Sequence, residues 1–489
     1  MLRTRKFRDA SVGSFSQPQR HIVRALAVSL LIPLILVLEA CGGGGGASSL
    51  SSTSSSSSSS TSCSGSSSSS SSSSASNVAT VVIDGAPCLS LPFAAINTLY
   101  TSVTVCLPGA PANSTTQCQT IDHVEVDTGS YGLRLFGAAG SGKLTLSLPH
   151  LTDTQGHTVT ECAQFADGYA WGPVATADVY IAGEVAPGVS VHLIGDSGFP
   201  NSSAPTSCTS GLTAENDVNS FGANGIIGIG PFVEDCGPAC GPPAATAASG
   251  FYYSCPSPPS STTCAVTGVV TTSQVSNPIA YFSSGNNNGS IIVLQAVNSN
   301  GAATLTGQLI FGINTAANNT LGASATVVNL DTDGTANSTS MPGDLTTNFT
   351  SFNNQALIGS YIDSGSNAYF FNDTNLVQCT ASSESGFYCP ATPQVLSATM
   401  QSQDAAGYTV GNPTAAISIN VASADTLFNH SNNLAFNNLA GSLLSGQGSG
   451  IFDWGLPFFF GRSVYTGIFP KAIPSSGGVS ANTPFFGFQ

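Results

Sequence analysis

The sequence predicts a mostly β fold. Short runs rich in Val, Ile, Thr, Phe and Tyr recur between clusters of Gly, Asn, Ser and Pro, and within them apolar and polar residues alternate with the period of a half-buried strand. Capped runs of helical period are scarce. Charge is scarce too: Lys+Arg 10 and Asp+Glu 25 make only 7% of 489 residues, against roughly 25% in ordinary soluble domains.

The chain opens on Arg3, Arg5, Lys6, Arg8, Arg20 and Arg24, followed by a 14-residue apolar run, Ala25 to Leu38, broken only by Ser29 and Pro33. That run is short for a bilayer span and fits the apolar region of a signal peptide, so 1–40 is expected to be removed. Leu38-Glu39-Ala40-Cys41 and the five glycines after it resemble a bacterial lipobox, which implies a lipid anchor on Cys41 and, with Gly42 following, an outer-membrane destination. A plain secretory signal with an incidental cysteine is the alternative. Cutting before Cys41 leaves Arg134, Lys143, Arg462 and Lys471 against 23 acidic residues, a net −19. Nucleic acid is excluded as a partner, because phosphate binding needs a basic patch. An anionic membrane surface would repel such a chain, so attachment has to be covalent.

Residues 41–76 carry the anchor cysteine and a tether. From Ser48 to Ser76, 23 of 29 residues are serine, a composition that buries no core and reaches roughly 30 Å as a flexible coil. The folded part is then 77–489. Its expected strands include Ala79–Ile83, Ser102–Cys106, Lys143–Leu148, Ala177–Ile181, Ser290–Leu294 and Ala415–Val421. Residues 231–276 interrupt the rhythm with Pro, Gly and four cysteines, and read as a disulfide-pinned insertion rather than core.

Of 13 cysteines, eleven fall in the folded part, a density that in an exported chain reads as disulfides. Cys236/Cys240, Cys255/Cys264 and Cys379/Cys389 are the expected local pairs. Eleven is odd, so one thiol is free or pairs with Cys63 in the tether. No CxxC or HExxH occurs and the six histidines are scattered, so neither a metal nor a cofactor is expected. A Ser/His/Asp hydrolase is disfavoured by the lack of a Gly-x-Ser-x-Gly elbow.

Two stretches carry the chemistry. Val124-Glu125-Val126-Asp127-Thr128-Gly129-Ser130 and Ser360-Tyr361-Ile362-Asp363-Ser364-Gly365-Ser366 each place an Asp after a strand, then a hydroxyl, a glycine and a second hydroxyl, before another apolar strand. The strand delivers the carboxylate to a tight turn, the glycine permits close backbone approach, and the hydroxyls and turn N–H groups can hold the acid. Two such turns facing each other would pair carboxyls that cannot both ionise, one keeping a proton while the other acts as base. A third candidate, Asp196-Ser197-Gly198, lacks the second hydroxyl and reads as a turn alone.

With these two motifs the chain resembles the pepsin-like, two-lobed aspartic peptidases. Asn224-Gly225-Ile226-Ile227-Gly228 is similar to the strand that threads the first catalytic loop in that family. Gly307 to Asn314 resembles the strand and turn that open the second lobe, and Trp454-Gly455 through Phe488 resembles the closing strands. The resemblance implies a two-lobed β-barrel architecture with Asp127 in an N-terminal lobe (77–289, carrying the insertion) and Asp363 in a C-terminal lobe (290–489). It also implies a peptide or protein substrate and hydrolysis by a water activated between the two acids. The family's flap hairpin maps to Gln164–Gly172, with Phe165 best aligned and Tyr169 or Trp171 as other rings for the covering role. Arg134 stands where many relatives have tryptophan, and Asp453-Trp454-Gly455 replaces two aliphatics and glycine in the second threading element. No basic pro-segment separates tether and domain. A surface-tethered binding or structural module that keeps the fold without useful activity is the other reading. The sequence does not speak to oligomeric state.

Overall fold

The computed structural model describes residues 77–489 apart from 86, 88–95, 112, 166–167, 210, 245–246, 248–249, 333–340, 352–353, 382–383, 405, 431, 444–449 and 476–482, and a short ladder of Arg3–Arg5 with Val23–Arg24 before them. Cys41, the serine tether, Cys63 and Cys88 lie outside the described residues. The protein is mostly β and two-lobed, as the strand pattern and the two motifs led us to expect. Among the described residues the α-helices are single turns, such as Val218–Phe221, capped by Asp217 accepting from Asn219 and Ser220 N–H and closed by Gly222 at φ 78°.

The first lobe closes on itself. Strands Tyr100–Cys106, Cys118–Asp127, Gly225–Ile229, Tyr131–Phe136, Glu184–Ile194 and Gly168–Ile181 follow one another in hydrogen-bonded order, and the last pairs back to the first through Thr104↔Tyr180 and Cys106↔Asp178. Closure leaves no free edge and covers the inner face of these strands, while a second cluster with Phe165, Phe221, Tyr252 and Val275 covers Phe136 from outside, so all six residues of Tyr131–Phe136 are buried although no alternation marks them. The second lobe is built on a seven-stranded sheet that includes Gln355–Ile362, Tyr369–Phe370 and Asp453–Trp454. A shared ladder joins the halves. Val78–Ile83 pairs antiparallel with Leu305–Phe311, which continues through Gly289–Val293 to Ser463–Gly467 and Phe485–Phe488.

Two expectations need correction. Lys143–Leu148 forms no strand beyond the bridge Gly137↔Leu144. Its backbone is instead held by the side chain of Gln119, whose Nε2 donates to Lys143 O (2.6 Å) while Oε1 accepts from Thr145 N (2.9 Å) and Leu146 N (3.2 Å). A side-chain amide has replaced the neighbouring strand, so the apolar alternation buries Leu144 and Leu148 without a ladder. The 231–276 segment is pinned by Cys236–Cys240 and Cys255–Cys264, as expected, but it is also core. Tyr252–Cys255 adds a strand to Thr158–Gln164, and Tyr252, Val269 and Val275 are buried with Phe136, Phe165 and Phe221. Cys379–Cys389 forms as the third local pair; Cys106–Cys118 and Cys162–Cys208 complete the described disulfides.

Candidate active site

Each Asp sits at the end of a strand whose partner threads the loop it starts. Gly225–Ile229 runs parallel to Cys118–Asp127, with Ile226, Ile227 and Gly228 opposite Glu125, Val126 and Asp127, and antiparallel to Tyr131–Phe136. Only glycine fits at 228: a Cβ there would lie 2.6 Å from Ser130 Oγ and closer still to Tyr131 N. In the second lobe Asp453–Trp454 runs parallel to Tyr361–Ile362 and antiparallel to Tyr369–Phe370. One topology has thus been built twice, although Asp-Trp replaces Ile-Ile in the second copy.

The two turns meet and exchange hydrogen bonds crosswise. Thr128 Oγ1 donates to Ile362 O (3.0 Å) and accepts from Ser364 N (2.9 Å), while Ser364 Oγ donates to Val126 O (2.8 Å) and accepts from Thr128 N (3.0 Å). Both hydroxyls are therefore spent on orienting the opposite loop. Gly129 lies against the facing acid, since a Cβ on it would stand 2.6 Å from Asp363 Cγ.

Asp127 and Asp363 are in contact, and both are fully buried. Asp127 Oδ1 accepts from Gly129 N (2.7 Å), and the Asp127 carboxyl lies within reach of both Asp363 and the Ser130 hydroxyl. Asp363 is better served: Oδ1 accepts from Gly365 N (2.8 Å) and Ser366 N (3.3 Å), and Oδ2 lies 3.0 Å from Ser366 Oγ. Burial, followed by the neighbouring Asp363 charge, pushes Asp127 well above the ordinary carboxyl range. Burial raises Asp363 as well, but donors from Asp127, Gly365 and Ser366 oppose it. The pair therefore holds one proton between its two carboxyls, because burial and their mutual charge keep both from ionising together. Asp196, by contrast, caps its own turn at Gly198 N (2.7 Å) and takes no part in this symmetry.

The aromatic rings assigned to the flap are packing residues in this structure. Phe165 is buried edge-on against Phe221 (5.8 Å between ring centres). Trp171 donates from its indole N–H to Ser203 Oγ (3.0 Å) and packs edge-on against Tyr253, and Tyr169 belongs to the same cluster. The insertion supplies what crowds the Asp127 turn: Phe232 packs on Tyr131 at 5.8 Å and on Phe469 at 6.1 Å.

Beneath the same turn lies a group of charges that sequence reasoning did not find. Arg134 donates to Tyr131 O (2.8 Å) and to Glu161, with Asp235 Oδ2 at 3.4 Å; His192 Nδ1 is 3.0 Å from Glu161, and Tyr252 O–H donates to Asp235 Oδ1 (2.6 Å). All five side chains are buried. Burial works against the Glu161 charge, but Arg134 and His192 hold it below the ordinary range. Burial and the Glu161 charge push Asp235 well above it, and burial lowers His192. Glu161 is therefore the closer counterion of Arg134, and Asp235, farther off at 3.4 Å, is the acid whose protonated form burial and the Glu161 charge favour. Only the arginine at 134 hinted at this, because a lone buried cation has to find an acid. Among the described residues, the His, Cys and acidic atoms close enough to share a metal ion are those of Cys379, Cys389 and Asp425, and the two sulfurs form a disulfide.

A family model described as "Protein of unknown function (DUF3443)" matches residues 73–488. The chain belongs to that family. No curated protein matches it. Among solved structures this DUF3443 member is similar to the crystal structure of an aspartic proteinase from Irpex lacteus, with 14% identity, 84% of this chain and 96% of that one covered, and a TM-score of 0.42. No activity is carried over from a likeness of that size.

Proposed function

We propose that this protein is an exported lipoprotein, anchored through Cys41, whose body is an aspartic-type peptide hydrolase acting through Asp127 and Asp363. The observation that carries the reading is the pairing of the two carboxyls by turns that hold each other crosswise through Thr128 and Ser364. Such an arrangement suits general acid–base work on a water molecule. As water attacks the carbonyl carbon, the ionised acid takes its proton and the protonated acid gives its own to the carbonyl oxygen. Collapse of the tetrahedral adduct returns a proton to the leaving amine. No covalent bond to the protein forms.

Full burial of both acids favours a second reading, a binding or structural module that retains the fold without turnover. Under the hydrolase reading, a substrate reaches the pair only when the packing that buries the two acids yields. A cleavage assay on a peptide library from about pH 3 to about pH 7 separates the two. Hydrolysis that disappears in both Asp127→Asn and Asp363→Asn, and persists in Asp196→Asn, supports the enzyme. Equal cleavage by parent and variants refutes it, and a folded parent that cleaves nothing selects the module.

A further inference from the structure

The seven-stranded sheet of the second lobe ends on Thr409–Val421. This strand pairs antiparallel with Gln394–Gln403, with Val421 opposite Gln394 and Thr414 opposite Gln401, and among the described residues no strand pairs with its other side. Along Thr414–Val421 the alternation is strict: Ala415, Ile417, Ile419 and Val421 are buried in the main core, and Thr414, Ala416, Ser418 and Asn420 are exposed. Every second residue of such a strand turns its N–H and C=O away from the paired neighbour, so this stretch presents a row of backbone donors and acceptors about 27 Å long. Charge, proline or a bulge ordinarily blunts an edge of that length, because it templates the addition of another strand. Here Pro413, which has no N–H to give, stands just before the stretch, and the register shift against the neighbouring strand falls between Gln401 and Gln403, at its far end. No Lys, Arg, Asp or Glu occurs in Thr409–Val421, in Gln394–Gln403 behind it, or in Leu345–Phe349 and Gln355–Ile362 beyond.

We propose that this edge joins two copies of the chain, Thr414–Val421 of one copy pairing antiparallel with the same residues of the other across a two-fold axis, so that one sheet runs through the dimer. Charge selects a second copy as the occupant. The chain holds 25 acidic against 10 basic residues, so two copies repel, and four neighbouring uncharged strands let them meet without opposing like charges, whereas a partner recognised through charge finds none to hold. Symmetry agrees. With Ser418 on the axis, Ala416 lies opposite Asn420 and Ile417 opposite Ile419, so exposed residues face exposed ones and buried face buried. A strip about 27 Å long and about 10 Å thick falls well below the roughly 800 Å² per partner of a stable interface, so the dimer is weak and forms where copies are concentrated, as anchors in one membrane would make them. The pairing stands whether or not Asp127 and Asp363 hydrolyse peptide.

The test is sedimentation velocity of the full-length protein in detergent micelles from about 1 μM to about 1 mM, with hydrogen exchange of the backbone amides at both ends of that range. A monomer that becomes a dimer with concentration is expected, and the amides of Thr414–Val421 that face away from Gln394–Gln403 should then exchange about tenfold more slowly. The triple variant Ala416→Lys, Ser418→Lys, Asn420→Lys changes exposed side chains only, sets like charges opposite one another across the axis, and should raise the dimer dissociation constant about tenfold or more. Val395→Lys adds a lysine at a position 69% exposed one strand further in, and should associate as the parent does. A protein that stays monomeric to the highest concentration overturns the inference. So does a dimer that the triple variant leaves intact, or one whose edge amides keep the monomer's exchange rate, since the contact then lies elsewhere. Edge amides that slow only when an unstructured peptide is added would assign the edge to an extended peptide and overturn it equally. Should the triple variant fail to fold, Ser418→Lys alone and the parent's exchange pattern decide.

Discussion

The buried group around Arg134 should respond to mutation in a strongly non-additive way, because it holds two acids for one arginine. The acids within ion-pair distance of Arg134, among the described residues, are Glu161 and Asp235. In Glu161→Gln the arginine keeps its charge, and the Glu161 charge that helps hold a proton on Asp235 is gone. Asp235 can then ionise and take over as the counterion, while the amide oxygen introduced at position 161 still accepts one hydrogen bond. The cost is that of weakening charge-assisted bonds, about 1 to 2 kcal/mol. Asp235→Asn removes a group whose neutral form is already favoured, and asparagine can still accept from Tyr252 O–H, so the loss should stay below about 1 kcal/mol. In the double variant Arg134 has lost both counterions in a dry site and cannot shed its proton, which should cost about 3 to 5 kcal/mol. The coupling is thus about 2 kcal/mol beyond additivity. Urea unfolding of the four proteins near about pH 7, with slopes compared so that only midpoints carry the difference, measures it. The Glu161→Gln deficit has a pH sign as well: the folded-state value of Glu161 is depressed, so its stabilisation is present above the ordinary glutamate value of about 4.3 and is lost as pH falls below it. The deficit should therefore shrink on acidification. Additivity within about 0.5 kcal/mol, or a single variant as damaged as the double, would refute the proton-sharing account.

Thr128→Val should cost about 2 to 4 kcal/mol, because it leaves Ser364 N–H and Ile362 C=O buried and unpaired, whereas Thr128→Ser keeps both bonds; a valine variant as stable as the serine one in thermal or urea unfolding would contradict the crosswise arrangement. Cys41→Ser should move the protein from the detergent-extracted membrane fraction to the soluble one. A serine variant that still sediments with membranes at full-length mass would refute the anchor.

What the sequence determined by itself is what a few neighbouring residues can dictate. Asp-Thr-Gly-Ser and Asp-Ser-Gly-Ser each specify a turn in which the acid caps its own backbone, at Gly129 N and Gly365 N, two residues on. The local disulfides were legible for the same reason, since short loops leave few partners, and so was the strand content, which follows from alternation and turn formers. Tertiary structure decided whatever depends on residues far apart in the chain. Thr128 meets Ser364 across 236 residues, Ser366 meets Asp453 across 87, and Arg134 meets Asp235 across 101. In each case the side chain alone is ambiguous: Arg134 stands where many relatives have tryptophan, Asp453 takes the place of an aliphatic residue in a threading strand, and Phe165 reads as a ring over a cleft. Lys143–Leu148 shows the reverse ambiguity, an alternating run whose expected strand partner is replaced by the amide of Gln119. The physical reason is common to all of them. Burial in a closed barrel removes water as a partner, so each polar group takes the donor or acceptor that packing brings near, and packing is a property of the whole fold rather than of any window of sequence.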